Sequence, residues 1–124
     1  MTSPATPMRA ASGIFAFTTS NYDAMKAFFC GIGMEIREDA GDQLVPIFNT
    51  GRGASVSRGD IHFNLEESTS GQASARFNLF LTGYPVSELH PFSSLGYDFS
   101  TEVSLYGTFH TLTSPDGGQV TIAE

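Results

Sequence analysis

The sequence predicts an α+β fold of two tandem strand-helix-strand-strand-strand (βαβββ) units, whose small curved sheets enclose a shared cleft. Three observations predict it. Apolar and polar residues alternate in short runs, the period of half-buried strands. One stretch in each half instead repeats apolar residues at helical spacing. The order of these runs is the same on either side of a Ser/Gly/Thr/Gln-rich stretch at 68–74, an internal repeat of about 60 residues.

Residues 1–11, with Pro4 and Pro7, read as a flexible N-terminal arm. Residues 12–124 read as one domain, with its first unit at about 12–67 and its second at about 75–124; neither half is large enough for a good core alone. Ser12 to Thr19 is a strand. Ser20 or Asn21 caps a helix that runs to about Cys30, with Tyr22, Met25 and Phe29 in its apolar stripe and Asp23 in its first turn. Gly31 and Gly33 stop it. Met34 to Glu38 and Leu44 to Asn49 are strands, the second at an edge or bulge because of Pro46. Ala54 to Glu66 is strand, broken at Arg58-Gly59-Asp60. The second half restarts with a strand at Ala75 to Thr82. A short helix follows from Pro85 through Val86, Leu89 and Phe92, ending by Gly96. Tyr97 to Val103, Leu105 to Thr113 and Gln119 to Ala123 are strands, the last after a turn at Ser114-Pro115-Asp116-Gly117-Gly118.

Composition narrows the function classes. Thirteen acidic residues against six basic ones give a net charge of −7. That disfavours nucleic acid, which needs a basic footprint, and is compatible with a neutral or cationic ligand. No apolar run approaches the roughly 20 residues of a membrane span, and the N-terminus lacks the apolar region of a secretory signal. The single cysteine, Cys30, cannot form an internal disulfide, which fits a reducing cytoplasm. Eleven Phe with no Trp suggest that some rings line an apolar cavity.

The stretch Arg58 to Glu66 carries the first functional candidates. Ile61, Phe63 and Leu65 share one strand face, leaving His62 and Asn64 on the other. An imidazole beside a carboxamide suits a pocket wall; a hydrogen-bonded strand histidine is the bland alternative. His110 pairs with His62 only if it faces the same cavity, and its strand does not say which way it faces. Arg76 is either a ligand clamp or an internal partner of Glu66 or Glu102. Cys30 reads as a small core residue, His90 as exposed, and Asp60, Glu66 and Glu67 as surface charges. Gly51-Arg52-Gly53 has no helix behind it and is not a phosphate loop.

Three stretches, in order, resemble the vicinal oxygen chelate superfamily of glyoxalases, extradiol dioxygenases and bleomycin-resistance proteins. They are Phe28-Phe29-Cys30-Gly31-Ile32-Gly33-Met34, Arg58-Gly59-Asp60-Ile61-His62-Phe63-Asn64-Leu65, and Ser114-Pro115-Asp116-Gly117-Gly118-Gln119-Val120-Thr121-Ile122. The resemblance implies paired βαβββ modules with curved mixed sheets around a cavity, and a homodimer. It also implies four metal-ligand positions. They fall on Ile14, near Arg76, at or near His62 or Asn64, and on Thr121. Strand parity turns Ile14, Ala16 and Thr18 of the first strand inward, with His62, Asn64, Arg76, Asn78, Phe80, Gln119 and Thr121. An apolar residue, a cation and a neutral hydroxyl replace groups that a divalent ion needs. The expectation is therefore no metal or other cofactor. The reading is a protein that binds a small organic ligand, antibiotic-like or an aromatic metabolite, without catalysis. Ile14, His62, Asn64, Arg76, Asn78, Phe80, His110 and Thr121 are its candidate contacts. The alternative is a lyase, isomerase or dioxygenase-type enzyme using His62 in acid/base chemistry.

Overall fold

The computed structural model describes residues 15–38, 52–68 and 76–124. Its first unit contains β1 (Phe15–Thr19), α1 (Tyr22–Gly31), β2 (Glu35–Arg37), β3 (Gly53–Arg58) and β4 (Ile61–Glu67). Its second contains β5 (Asn78–Leu81), α2 (Val86–Leu89) continued by a 3-10 turn (His90–Ser94), β6 (Phe99–Ser104), β7 (Gly107–Thr113) and β8 (Gln119–Ala123). The expected strand at 44–49, the arm at 1–11 and Ile14 lie outside the described residues.

The two sheets have the same topology, β1-β4-β3-β2 and β5-β8-β7-β6. In each, the outer strands of the order's first pair run parallel and the remaining pairs antiparallel, so both sheets are mixed. The parallel pair follows from the helix: a crossover over the sheet brings the chain back in the same direction. The fold is thus α+β with the strand-helix-strand-strand-strand order in both halves.

Tyr22, Met25, Phe28 and Phe29 form the buried stripe of α1. The helix has no side-chain cap from Asn21; instead the Thr19 hydroxyl accepts the Asn21 N–H at 2.8 Å. It stops where Gly33, at φ +88°, donates its N–H to the Cys30 carbonyl and Met34 donates to Phe29. Cys30 sits one position past the stripe and is exposed, not a core residue.

One apolar cluster includes residues of both units. Phe17 and Phe63 meet edge to face at 5.1 Å, and Phe29 meets Phe63 at 5.0 Å. Phe77 of the second unit joins them, 4.7 Å from Phe17. Phe28 reaches Tyr97 at 4.8 Å. Arg58 adds a polar contact between the units: its guanidinium lies 4.0 Å over the Tyr84 ring, pairs with Glu88 at 2.6 Å and donates to the Gly33 carbonyl at 3.1 Å. No helix among the described residues is long and apolar enough to cross a membrane.

Candidate functional site

Strand parity sorts the side chains as the sequence suggested. On β4, Phe63 and Leu65 are buried toward α1, with Ile61 half-buried on the same side. His62, Asn64 and Glu66 take the other side. Asn64 lies opposite Ser55 in register and His62 opposite Ser57. The His62 Nε2 and Ser55 Oγ are 2.8 Å apart, so one ring nitrogen is occupied by a hydroxyl. On β8, Val120 and Ile122 are buried on the helix side, while Thr121 faces away and its hydroxyl meets that of Thr111 at 3.0 Å.

Depth along β4 was not foreseen. His62 is exposed, but Asn64 and Glu66 are buried. Glu66 is therefore not the surface charge expected of it. It is 7 % exposed, and desolvation raises its pKa above the ordinary carboxylate value. Among the described residues it has no ion pair, neither with Arg76 nor with another cation. Its neighbour Glu67 behaves oppositely. Arg52 holds it through a pair at 2.8 Å, and those hydrogen bonds lower its pKa. The same Arg52 grips Asp23 with both nitrogens, at 3.0 and 3.1 Å, tying α1 to the end of β4.

The principal cleft lies at the seam between the units and not over the polar sheet faces. It has a volume of about 590 Å³, within the range of ligand sites. Phe15, Phe17, Ile61, Phe63, Phe77 and Leu79 form its apolar wall; Asp60, His62 and Asn78 are its polar groups. The wall is made of residues from the helix side of each sheet. They stay accessible because β1 and β5 are the end strands of their sheets. Phe15 is 78 % exposed for the same reason.

Two of the candidate contacts, His62 and Asn78, therefore come together in this cleft. The others do not. Phe80, 60 % exposed, lines a second cleft on the far side of Asp60. Arg76 precedes β5, is exposed, lies against the turn at Gly117, and lines a small pocket with Thr18 and Asp116. Asn64 and Thr121 line neither of the two larger clefts. His110 cannot pair with His62. It is in register with Ile122, on the helix side of the second sheet, stacked on Phe99. Its two nitrogens are held by Thr101 and by Glu124, each at 2.9 Å. Among the described residues no group of three or more His, Cys, Asp or Glu is placed to hold a metal ion.

No family model and no curated protein matches the chain by sequence. Solved structures do match by shape. A bleomycin-binding protein complexed with bleomycin superposes with TM-score 0.60 at 19 % identity, over 92 % of this chain and 98 % of that one. TnmS3, an antibiotic-binding protein from Streptomyces sp. CB03234, gives 0.64 at 17 %, over 92 % and 96 %. A lactoylglutathione lyase from Agrobacterium tumefaciens gives 0.64 at 14 %, over 94 % and 96 %. The chain shares the fold of these bleomycin-binding, antibiotic-binding and lyase proteins. Binding proteins and a lyase share this fold, so shape alone does not choose between them.

Proposed function

We propose that the protein binds a small aromatic organic compound, antibiotic-like or a metabolite, without a metal and without turning it over. The observation that carries this is the seam cleft, a phenylalanine-lined space with His62 and Asn78 as its hydrogen-bonding groups. Apolar walls with a few polar groups are the usual design of such sites, and phenyl rings stack on flat ligands. The bleomycin-binding and antibiotic-binding proteins of like fold support a small-molecule partner. The metal-free reading rests on donor chemistry: Ile14, Arg76 and Thr121 stand where the superfamily resemblance puts metal ligands, and His62 is engaged with Ser55. A cytoplasmic homodimer completes the reading, and size-exclusion with mass detection checks the dimer.

A thermal-shift panel of aromatic antibiotics and metabolites, run beside divalent metals, tests the binding. A ligand that binds the folded state raises the melting temperature by mass action. At least one aromatic compound should do so, and Phe15→Asp, at an exposed position, should abolish the shift without changing the unliganded melt. Stabilisation by metal ions alone would overturn the proposal.

A second reading, a lyase, isomerase or dioxygenase-type enzyme, is favoured by one observation: the exposed His62 lines the cleft, and only its Nε2 is hydrogen-bonded among the described residues, to the Ser55 hydroxyl. Turnover of a bound compound that is lost in His62→Ala would establish it.

A further inference from the structure

We propose that the ligand is an elongated cationic aromatic compound that spans two clefts and places its positive charge on Asp60. The inference deepens the binding reading above and rests on it.

The second cleft measures about 420 Å³. Its wall includes Met34, Phe80 and Tyr84, so it too accepts an apolar group. Both clefts are lined by Asp60 and Ile61, at the turn between β3 and β4, and they share no other residue. Each is large enough for a ring system. A molecule occupying both must cross that turn, with one end against Phe15 and Phe77 and the other against Phe80.

Charge decides what can cross. Asp60 is exposed and makes no ion pair among the described residues. The cation two positions away, Arg58, is committed to Glu88, to the Gly33 carbonyl and to the Tyr84 ring. A ligand laid over the turn strips water from the Asp60 carboxylate. With a neutral ligand that desolvation has no compensation. An anionic ligand adds repulsion. A ligand ammonium or iminium supplies the missing partner, and the chain's net charge of −7 favours its approach.

The test uses a matched pair of dyes. Thioflavin T is elongated, with two aromatic ends and a fixed positive charge; its demethylated benzothiazole analogue is neutral and nearly the same shape. Fluorescence titration of the full chain should show thioflavin T binding about tenfold more tightly or better. Asp60→Asn should bring the two dyes to equal affinity, and Asp60→Glu should restore the preference. Phe80→Ser should weaken thioflavin T but leave benzyltrimethylammonium, which fills one cleft only, unchanged. Equal binding of both dyes to the wild type, or a preference that survives Asp60→Asn, overturns the inference while leaving the aromatic-binding reading intact. Failure of both dyes and of every aromatic compound in the panel overturns both.

Discussion

Glu66 shows what a single residue's environment contributes. In the unfolded chain it titrates as an ordinary carboxyl; in the fold, burial holds its pKa higher. The folded state therefore takes up the proton more readily. The associated stability is complete below the unfolded pKa and is lost as pH rises through the folded one. Burial disfavours its ionised form, which has no ion-pair partner among the described residues. Glu66→Gln, which cannot ionise, should raise the melting temperature at pH 7, and that gain should vanish near pH 4. A variant less stable than wild type at pH 7 would show that the carboxylate has a favourable partner. The sequence did reveal the face on which Glu66 lies, because period two carries on from His62 and Asn64. It did not reveal the depth, because alternation is blind to what covers a face. Cys30 is the converse case. The residue type suggested a core position, but the stripe Tyr22, Met25, Phe28, Phe29, Ile32 leaves position 30 outside it, and the helical spacing outweighs the residue type.

The secondary-structure elements were largely legible because each is bounded by residues with strong local preferences. Gly59, at φ +56°, closes the β3–β4 hairpin where the Arg58-Gly59-Asp60 break was expected. The β6–β7 turn was harder. Leu105 and Tyr106 resemble strand residues, yet they form the tip and are almost wholly exposed. Ser104 sets that turn, its hydroxyl accepting the Tyr106 N–H at 3.1 Å, and Gly107 takes φ +128° after it. Side-chain chemistry local to one residue outweighed β propensity there. The turn before β8 makes a second demand. The Gly118 N–H donates to the Ser114 hydroxyl at 3.0 Å, and a Cβ on Gly118 would collide with the Phe77 ring. Phe77 packs against Phe17 and Phe29 and borders the cleft on its open side, so it can yield only by giving up those ring contacts. Gly118→Ala should cost about 1–3 kcal/mol in chemical denaturation, the usual penalty of overpacking. Adding Phe77→Leu should recover part of it. An alanine variant as stable as wild type would mean that the ring can move aside.

At the scale of the whole molecule, parity predicted the side of the sheet for the residues of β4 and β8 but left that of His110 open, and it did not say which residues meet across the units. His62 and Asn78 converge; Arg76, Asn64 and Thr121 do not. That depends on how one sheet is set against the other, and few sequence signals encode it. Arg58 is one residue that does so. Placed at the end of β3, it reaches the end of α1 through the Gly33 carbonyl and the second unit through Tyr84 and Glu88. Both members of the ion pair are partly exposed, at 30 % and 45 %, so the pair alone contributes about 0.2–1 kcal/mol. The guanidinium over the Tyr84 ring adds about 0.5–1 kcal/mol. Glu88→Gln should therefore weaken the fold only slightly, and Arg58→Met more, by about 1–2 kcal/mol in urea titrations. Because Glu88 acts through Arg58, the double variant should be little less stable than Arg58→Met alone. Strict additivity of the two losses would show that Arg58 and Glu88 do not interact.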